Sequence, residues 1–230
     1  MVSEVVSGLM GILFYRGPVL NFSEEERSEF EKMYLSAATE NAEITYTSKY
    51  PKHRFIQYIA ATKPVILHGS NNREIGEFEA RRQTLYNGQF VNAVFGTKDG
   101  IWPLFYAVLD KNKVKGGIRN ACLKVEGGRP HYFYSLNKET RDASPWTSGM
   151  IYFLPGETFQ RAGNGLVSFD EWVSKTPVKP IAKISVEPAD FYFLDKVSCH
   201  KDTESIVKSW LLYKFRVKRT IGQTIHKMTS

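Results

Sequence analysis

Along the chain, polar and apolar positions change their period several times. After Ser23, acids fill one turn (Glu24, Glu25, Glu26), and Phe30, Met33, Tyr34 and Ala37 then recur at three- and four-residue spacing. That spacing predicts a helix from about Glu24 to Ala38. Ser23 and Glu26 open it as a capping box, and the acids suit the positive end of its dipole. Phe55, Ile56 and Ile59 mark a second helix from Pro51 to Ala61, since proline is well tolerated at a helix start. Upstream, the apolar run from Val5 to Phe14 is broken by Ser7, Gly8 and Gly11 and is assigned no element. It falls short of the roughly eighteen apolar residues a membrane span needs.

The period then shortens. Lys63 to His68 reads as a buried strand, closed by the turn cluster Gly69-Ser70-Asn71-Asn72. A charged loop is expected over Arg73 to Gly88, and a second strand from Phe90 to Phe95. Asp99 is placed to cap a helix from Gly100 to Leu109, with Pro103 in its first turn. Strands are expected near Leu123–Val125, Tyr132–Ser135, Met150–Leu154, Glu171–Val173 and Ile181–Val186. Asp202 would cap a closing helix through Val217 that turns Ile206, Trp210, Leu211 and Tyr213 inward. Helices, a strand-rich middle and a final helix fit an α+β fold better than a doubly wound sheet. The expected organisation is one domain over residues 1–230, with a helical part (1–62), a strand-rich core (63–195) and a basic helix and tail (196–230).

Composition narrows the class. Apolar residues make up 42% of the 230 and aromatics 13%, which suits a folded core and excludes a disordered chain. The cysteines, Cys122 and Cys199, form neither a disulfide framework nor a Cys-x-x-Cys zinc spacing. With no basic n-region or cleavage signal at the start and no cysteine framework, a cytoplasmic location is expected; with no apolar run long enough to span a bilayer, no membrane partner is expected. The net charge is +7, of which the stretch from Lys196 to Ser230 holds +6. Lys214, Arg216, Lys218, Arg219 and Lys227 thus make the C-terminus a candidate for nucleic acid or another polyanion. The solvated face of a helix accounts for the same charges.

Several chemistries lack their residues. There is no Gly-x-Gly-x-x-Gly, no Gly-x-x-x-x-Gly-Lys-Ser/Thr, no His-Glu-x-x-His and no Gly-x-Ser-x-Gly. The five histidines are scattered, and no metal is expected. Three segments remain. Val65 to Ser70 ends a buried strand in His68-Gly69-Ser70; glycine there admits close approach to the backbone. Phe95-Gly96-Thr97 leads to a helix bearing Trp102, Phe105 and Tyr106. Phe169-Asp170-Glu171-Trp172-Val173 sets carboxylates among aromatics. Taken singly, each has an ordinary structural explanation as core or surface.

In combination and in this order, these stretches resemble the ADP-ribosyltransferase superfamily, on its poly(ADP-ribose) polymerase and RNA 2′-phosphotransferase side. The resemblance spans roughly Val65 to Val186. It implies a split β-sheet core and NAD as substrate, with ADP-ribose passing to a protein, nucleic-acid or small-molecule acceptor. By that resemblance His68 bonds a ribose hydroxyl and the Gly69 backbone holds the carboxamide, with Ser70 and Thr97 nearby. Phe95 and Tyr106 enclose the nicotinamide ring, and Glu171 acts on the nicotinamide ribose. Phe95 stands where the family commonly has Tyr, and Asp170, Glu157 and Glu187 are rival acids. In the charged loop, Arg81 and Arg82 are candidates for the pyrophosphate, because a guanidinium fork matches phosphate oxygens. A non-catalytic nucleotide- or nucleic-acid-binding protein is the alternative.

Overall fold

In the computed structural model, described for residues 2–85, 88–163 and 165–229 with side chains to 220, the elements follow local chemistry closely. The chain opens with α1 (Val2–Leu13), β1 (Tyr15–Arg16), α2 (Glu24–Glu40) and α3 (Lys52–Thr62). It continues through β2 (Val65–Ser70), β3 (Arg81–Thr84), β4 (Phe90–Gly96), α4 (Trp102–Val108), β5 (Ile118–Val125) and β6 (His131–Asn137). A short α5 (Lys138–Asp142) leads to β7 (Gly149–Pro155), β8 (Gln160–Arg161), β9 (Val167–Phe169), β10 (Trp172–Ser174) and β11 (Ala182–Val186). β12 (Ser198–His200) and α6 (Ile206–Thr229) close it. The α+β class is therefore as expected. Tyr86 and Asn87 of the expected loop, and the Lys227 side chain, lie outside the described residues.

Ser23 caps α2 by accepting from the Glu26 amide at 3.1 Å. Glu26 does not return the bond that a full capping box requires. Its buried carboxylate takes two bonds from Arg54 of α3, at 2.5 and 2.9 Å, and so ties the two helices together. α4 starts at Trp102 with Ile101 as its N-cap, two residues later than expected; Asp99 lies just before it, and its Oδ1 accepts from the Ile101 and Trp102 amides at 2.9 and 2.7 Å.

Three departures from the sequence expectation have physical causes. α1 is a helix although two glycines interrupt it, because its inner side chains rest against α6 and the sheet beneath: Phe14, just past its end, lies edge-on to Trp210. The charged loop contains β3, whose four residues are all exposed and pair with β4. The final helix begins at Ile206, not at Asp202, whose carboxylate instead accepts from the Gly117 amide. Its inward face is Ser209, Tyr213 and Val217, while Ile206 and Leu211 point outward.

The strands form three sheets. One runs β1-β6-β5-β9, with β12 joined in parallel to β6; the second runs β3-β4-β10-β8; the third runs β11-β7-β2. Paired bonds between Leu67 and Thr97, at 2.8 and 3.0 Å, link the third sheet to the second. β6 is buried along its whole length because both faces of its sheet are covered. Tyr132, Tyr134 and Leu136 face the main core with Phe30, Phe55 and Phe105. Phe133, with Ala121 and Leu123 of β5, faces Phe14, Tyr213 and Val217 instead, so α1 and α6 cover the far face.

Candidate functional site

A cavity of about 440 Å³ lies where the second and third sheets meet under α4. Its floor comes from Leu67, His68 and Gly69 of β2 and from Phe95, Gly96 and Thr97 at the end of β4. Trp102 and Tyr106 of α4 form one wall, and Glu171 and Lys111 supply charge. This is a size and character suited to a small organic ligand: mostly apolar, with a few polar groups converging. Of the positions the sequence singles out, His68, Gly69, Phe95, Thr97, Tyr106 and Glu171 line this cavity. Ser70, Arg81 and Arg82 are not among its lining residues.

Each of these placements has a local cause. His68 Nδ1 lies 2.8 Å from the Phe95 carbonyl oxygen. A carbonyl only accepts, so Nδ1 carries the proton and Nε2 is left as the acceptor of a neutral ring. Burial lowers the ring's pKa, partly opposed by that hydrogen bond. The ring is thus held as an acceptor at neutral pH, braced by Phe78 at 4.7 Å between centroids.

Gly69 is glycine for packing. A Cβ there would stand 1.9 Å from the Pro103 carbonyl oxygen, and one at Gly149 the same distance from that of Ala107. Both glycines let α4 lie directly on β2 and β7, which brings Trp102 and Tyr106 over the cavity. The close approach expected of Gly69 is therefore made by a helix. Ser70 is buried and accepts from the Asn72 amide at 3.1 Å; Asn71 bonds the Ala107 carbonyl oxygen at 2.6 Å. β2 thus runs two residues past the expected end at His68, and the turn after Ser70 is built of side chain to backbone bonds and fastened to the end of α4.

Tyr106 and Trp102 share one acceptor. Asn120 Oδ1 takes the tyrosine hydroxyl at 2.9 Å and the indole N–H at 2.6 Å. Two donors on one oxygen fix both rings, and burial first, with Glu171 nearby, pushes the Tyr106 hydroxyl up to about 12. Asn120 carries no signal in the sequence; only the pairing of β5 with β6 brings it under α4.

The neighbouring acids have separate fates. β9 pairs with β5 in the first sheet and β10 with β4 in the second, so Asp170 and Glu171 are the two-residue step between sheets. Successive residues of an extended chain point to opposite sides. Asp170 turns inward and is buried, accepting from Thr97 Oγ1 at 2.8 Å, Lys124 Nζ at 3.1 Å and Trp172 Nε1 at 3.1 Å. Glu171 turns to the cavity, half-buried. Val173 pairs with Phe95, which sets the Glu171 end of β10 beside the Gly96–Thr97 end of β4. Of the rivals, Glu187 caps a short 3-10 turn and Glu157 is exposed; neither lines the cavity.

The remaining candidates are engaged elsewhere. The Thr97 hydroxyl bonds Asp170 and accepts from the Asp99 amide at 3.0 Å, so it holds the acid-bearing step in place. Arg82 lies over the Phe90 ring at 4.6 Å. From β3 the cavity receives Gln83 and Thr84, and its cation is Lys111, which sequence reasoning missed because it sits in a one-turn 3-10 segment. Among the described residues no group of three His, Cys, Asp or Glu side chains is arranged to hold a metal ion. No protein-family model, curated protein or solved structure matches the chain.

Proposed function

We propose that this cavity binds NAD and that the protein is an ADP-ribosyltransferase-like enzyme, which cleaves the nicotinamide–ribose bond and passes ADP-ribose to an acceptor. One observation carries the reading. His68, Phe95, Tyr106 and Glu171, scattered over more than a hundred residues of sequence, line a single cavity, and together they are of the residue types that such cleavage calls for.

Cleavage breaks the bond from the ribose anomeric carbon to the pyridinium nitrogen. The electron pair leaves with nicotinamide, which becomes neutral, and positive charge develops on the ribose. A carboxylate fixed at that ribose stabilises the charge as it forms; such preorganised electrostatics is usually the largest catalytic term. Glu171 takes this role. Phe95 and Tyr106 stack against the cationic ring. His68 Nε2 accepts from a ribose hydroxyl, and the Gly69 backbone holds the carboxamide. Lys111 replaces Arg81 and Arg82 as the cation for the pyrophosphate. An acceptor nucleophile, or water, then attacks the anomeric carbon and releases its proton.

Calorimetric titration with NAD tests the binding half of the proposal. Tyr106→Ala removes one stacking wall and should weaken binding by about tenfold, and His68→Ala should weaken it as well. A folded wild-type protein that takes up neither NAD nor ADP-ribose would end this reading.

A further inference from the structure

α1 is an unusual surface helix. Its twelve residues include one charge, Glu4, and none of them is buried. Val2, Val5, Leu9 and Ile12 form a continuous outward row, each 58–69% exposed. A helix in water ordinarily turns a charged face outward; one that is apolar on both sides has an environment other than water on its outer side.

The helix beside it also turns large apolar side chains outward. Lys214 of α6 bonds the Gly11 carbonyl oxygen, and Trp210 and Tyr213 pack on Phe14. On α6, Val207, Leu211 and Phe215 recur every fourth residue and are 55–65% exposed. Exposed Lys208, Lys218 and Arg219 share that outer face, while the acid at its root, Glu204, is taken up by Arg216 at 2.6 Å. Large apolar side chains interleaved with exposed lysine and arginine are what an interfacial helix presents to acyl chains and anionic headgroups.

We infer that α1 and α6 together form a docking face for an anionic lipid bilayer, lying in its surface without crossing it. No described helix is long and apolar enough to cross a membrane, and interfacial binding needs no such helix. The sequence expectation of no membrane partner rested on the lack of a span, which does not bear on this mode. The charge selects the bilayer over a second copy of the chain, since pairing two such faces would bring the cations of both together. Alternation along β5 separates this face from the cavity: Ile118 lines the cavity, whereas Arg119 bonds Glu204 and Ser209 at the start of α6. A bilayer on the helices therefore leaves the cavity open, and the inference stands independently of what the cavity binds.

Co-sedimentation of the full chain with vesicles tests it. Binding is expected to vesicles of phosphatidylcholine mixed with phosphatidylglycerol, and to be much weaker to phosphatidylcholine alone. The exposed-site double variants L211E/F215E and V5E/L9E should each abolish it while circular dichroism and the melting curve stay unchanged. K218E/R219E should lower partitioning by about tenfold or more. A folded wild-type protein that stays in the supernatant of the mixed vesicles would overturn the inference. So would a dimer that forms without lipid through these positions and blocks vesicle binding. Salt-sensitive binding of an RNA oligonucleotide unaffected by L211E/F215E, with no vesicle binding, would assign the cations to nucleic acid instead.

Discussion

Asp170 and Glu171 are adjacent, chemically alike and put to different uses, and the difference is set by the extended step between two sheets. Asp170 is 2% exposed and serves as the common acceptor for Thr97, Trp172 and Lys124. Burial works against the Lys124 charge, yet Asp170 and Asp99 beside it raise its pKa. Asp170→Asn leaves that ammonium without its partner. Losing one member of a buried ion pair costs about 3–5 kcal/mol; with the Lys124 side chain 32% exposed, a loss of about 1–3 kcal/mol is expected here once solvent screening is allowed for. Glu171→Gln, half-buried on the cavity side, should cost less. Urea unfolding of the two variants measures the contrast, and equal destabilisation by both would show that Glu171 too is structural. The sequence points to this acidic pair but cannot choose between its members, because the choice depends on which strand each residue leads into.

At the scale of elements, α4 is the piece that assembles the site, and it is seated by absent side chains. Gly69→Ala sets a methyl carbon against the Pro103 carbonyl oxygen, a backbone atom that cannot swing aside. Overpacking of this kind costs about 1–3 kcal/mol. The melting temperature should fall by several degrees, and Gly149→Ala should behave alike, whereas Gly76→Ala, with open space around it, should not. The glycine of the His-Gly pair is thus required first by the helix seated on it. α6 carries a second device. Arg216 makes a two-point contact with Glu204 at 2.7 and 2.6 Å. Chiefly through that contact, the Glu204 carboxyl falls from its ordinary 4.5 to about 2. A depressed acid pKa contributes stability that is complete above the unfolded value and is lost as protons bind the folded state. The contribution should therefore disappear between about pH 4.5 and 2, and Glu204→Gln should flatten that part of the stability profile in acid titrations followed by circular dichroism. The period of α6 was hard to read for a simple reason: its buried row is Ser209, Tyr213 and Val217, and a serine in the row hides the stripe while Leu211 mimics one.

At the scale of the molecule, what could be read in advance was local. The longer helices and strands follow from spacing, caps and turn residues, while the short β1, α5, β8, β9 and β12 do not; Phe30, Tyr34, Phe55 and Ile59 are in the core as their period implies. The division into three sheets was not legible, because it depends on long-range register such as β2 with β7 and β6 with β12. β3 was lost for want of any apolar residue in Arg81–Thr84, and α1 because an apolar helix with glycines has no polar face to reveal its period. The site was legible in part: its strand-end histidine, aromatics and acid were visible, while Asn120 and Lys111 gain meaning only from what packs above them. The central claim is that these parts cleave NAD, and release of free nicotinamide from NAD, followed by chromatography with purified protein, tests it most directly. The account predicts release by the wild-type chain and a loss of at least about a hundredfold in Glu171→Gln, on the scale of removing one preorganised transition-state group, with NAD binding retained. Equal release by both proteins, or none from a wild-type sample that is folded and binds NAD, would contradict it.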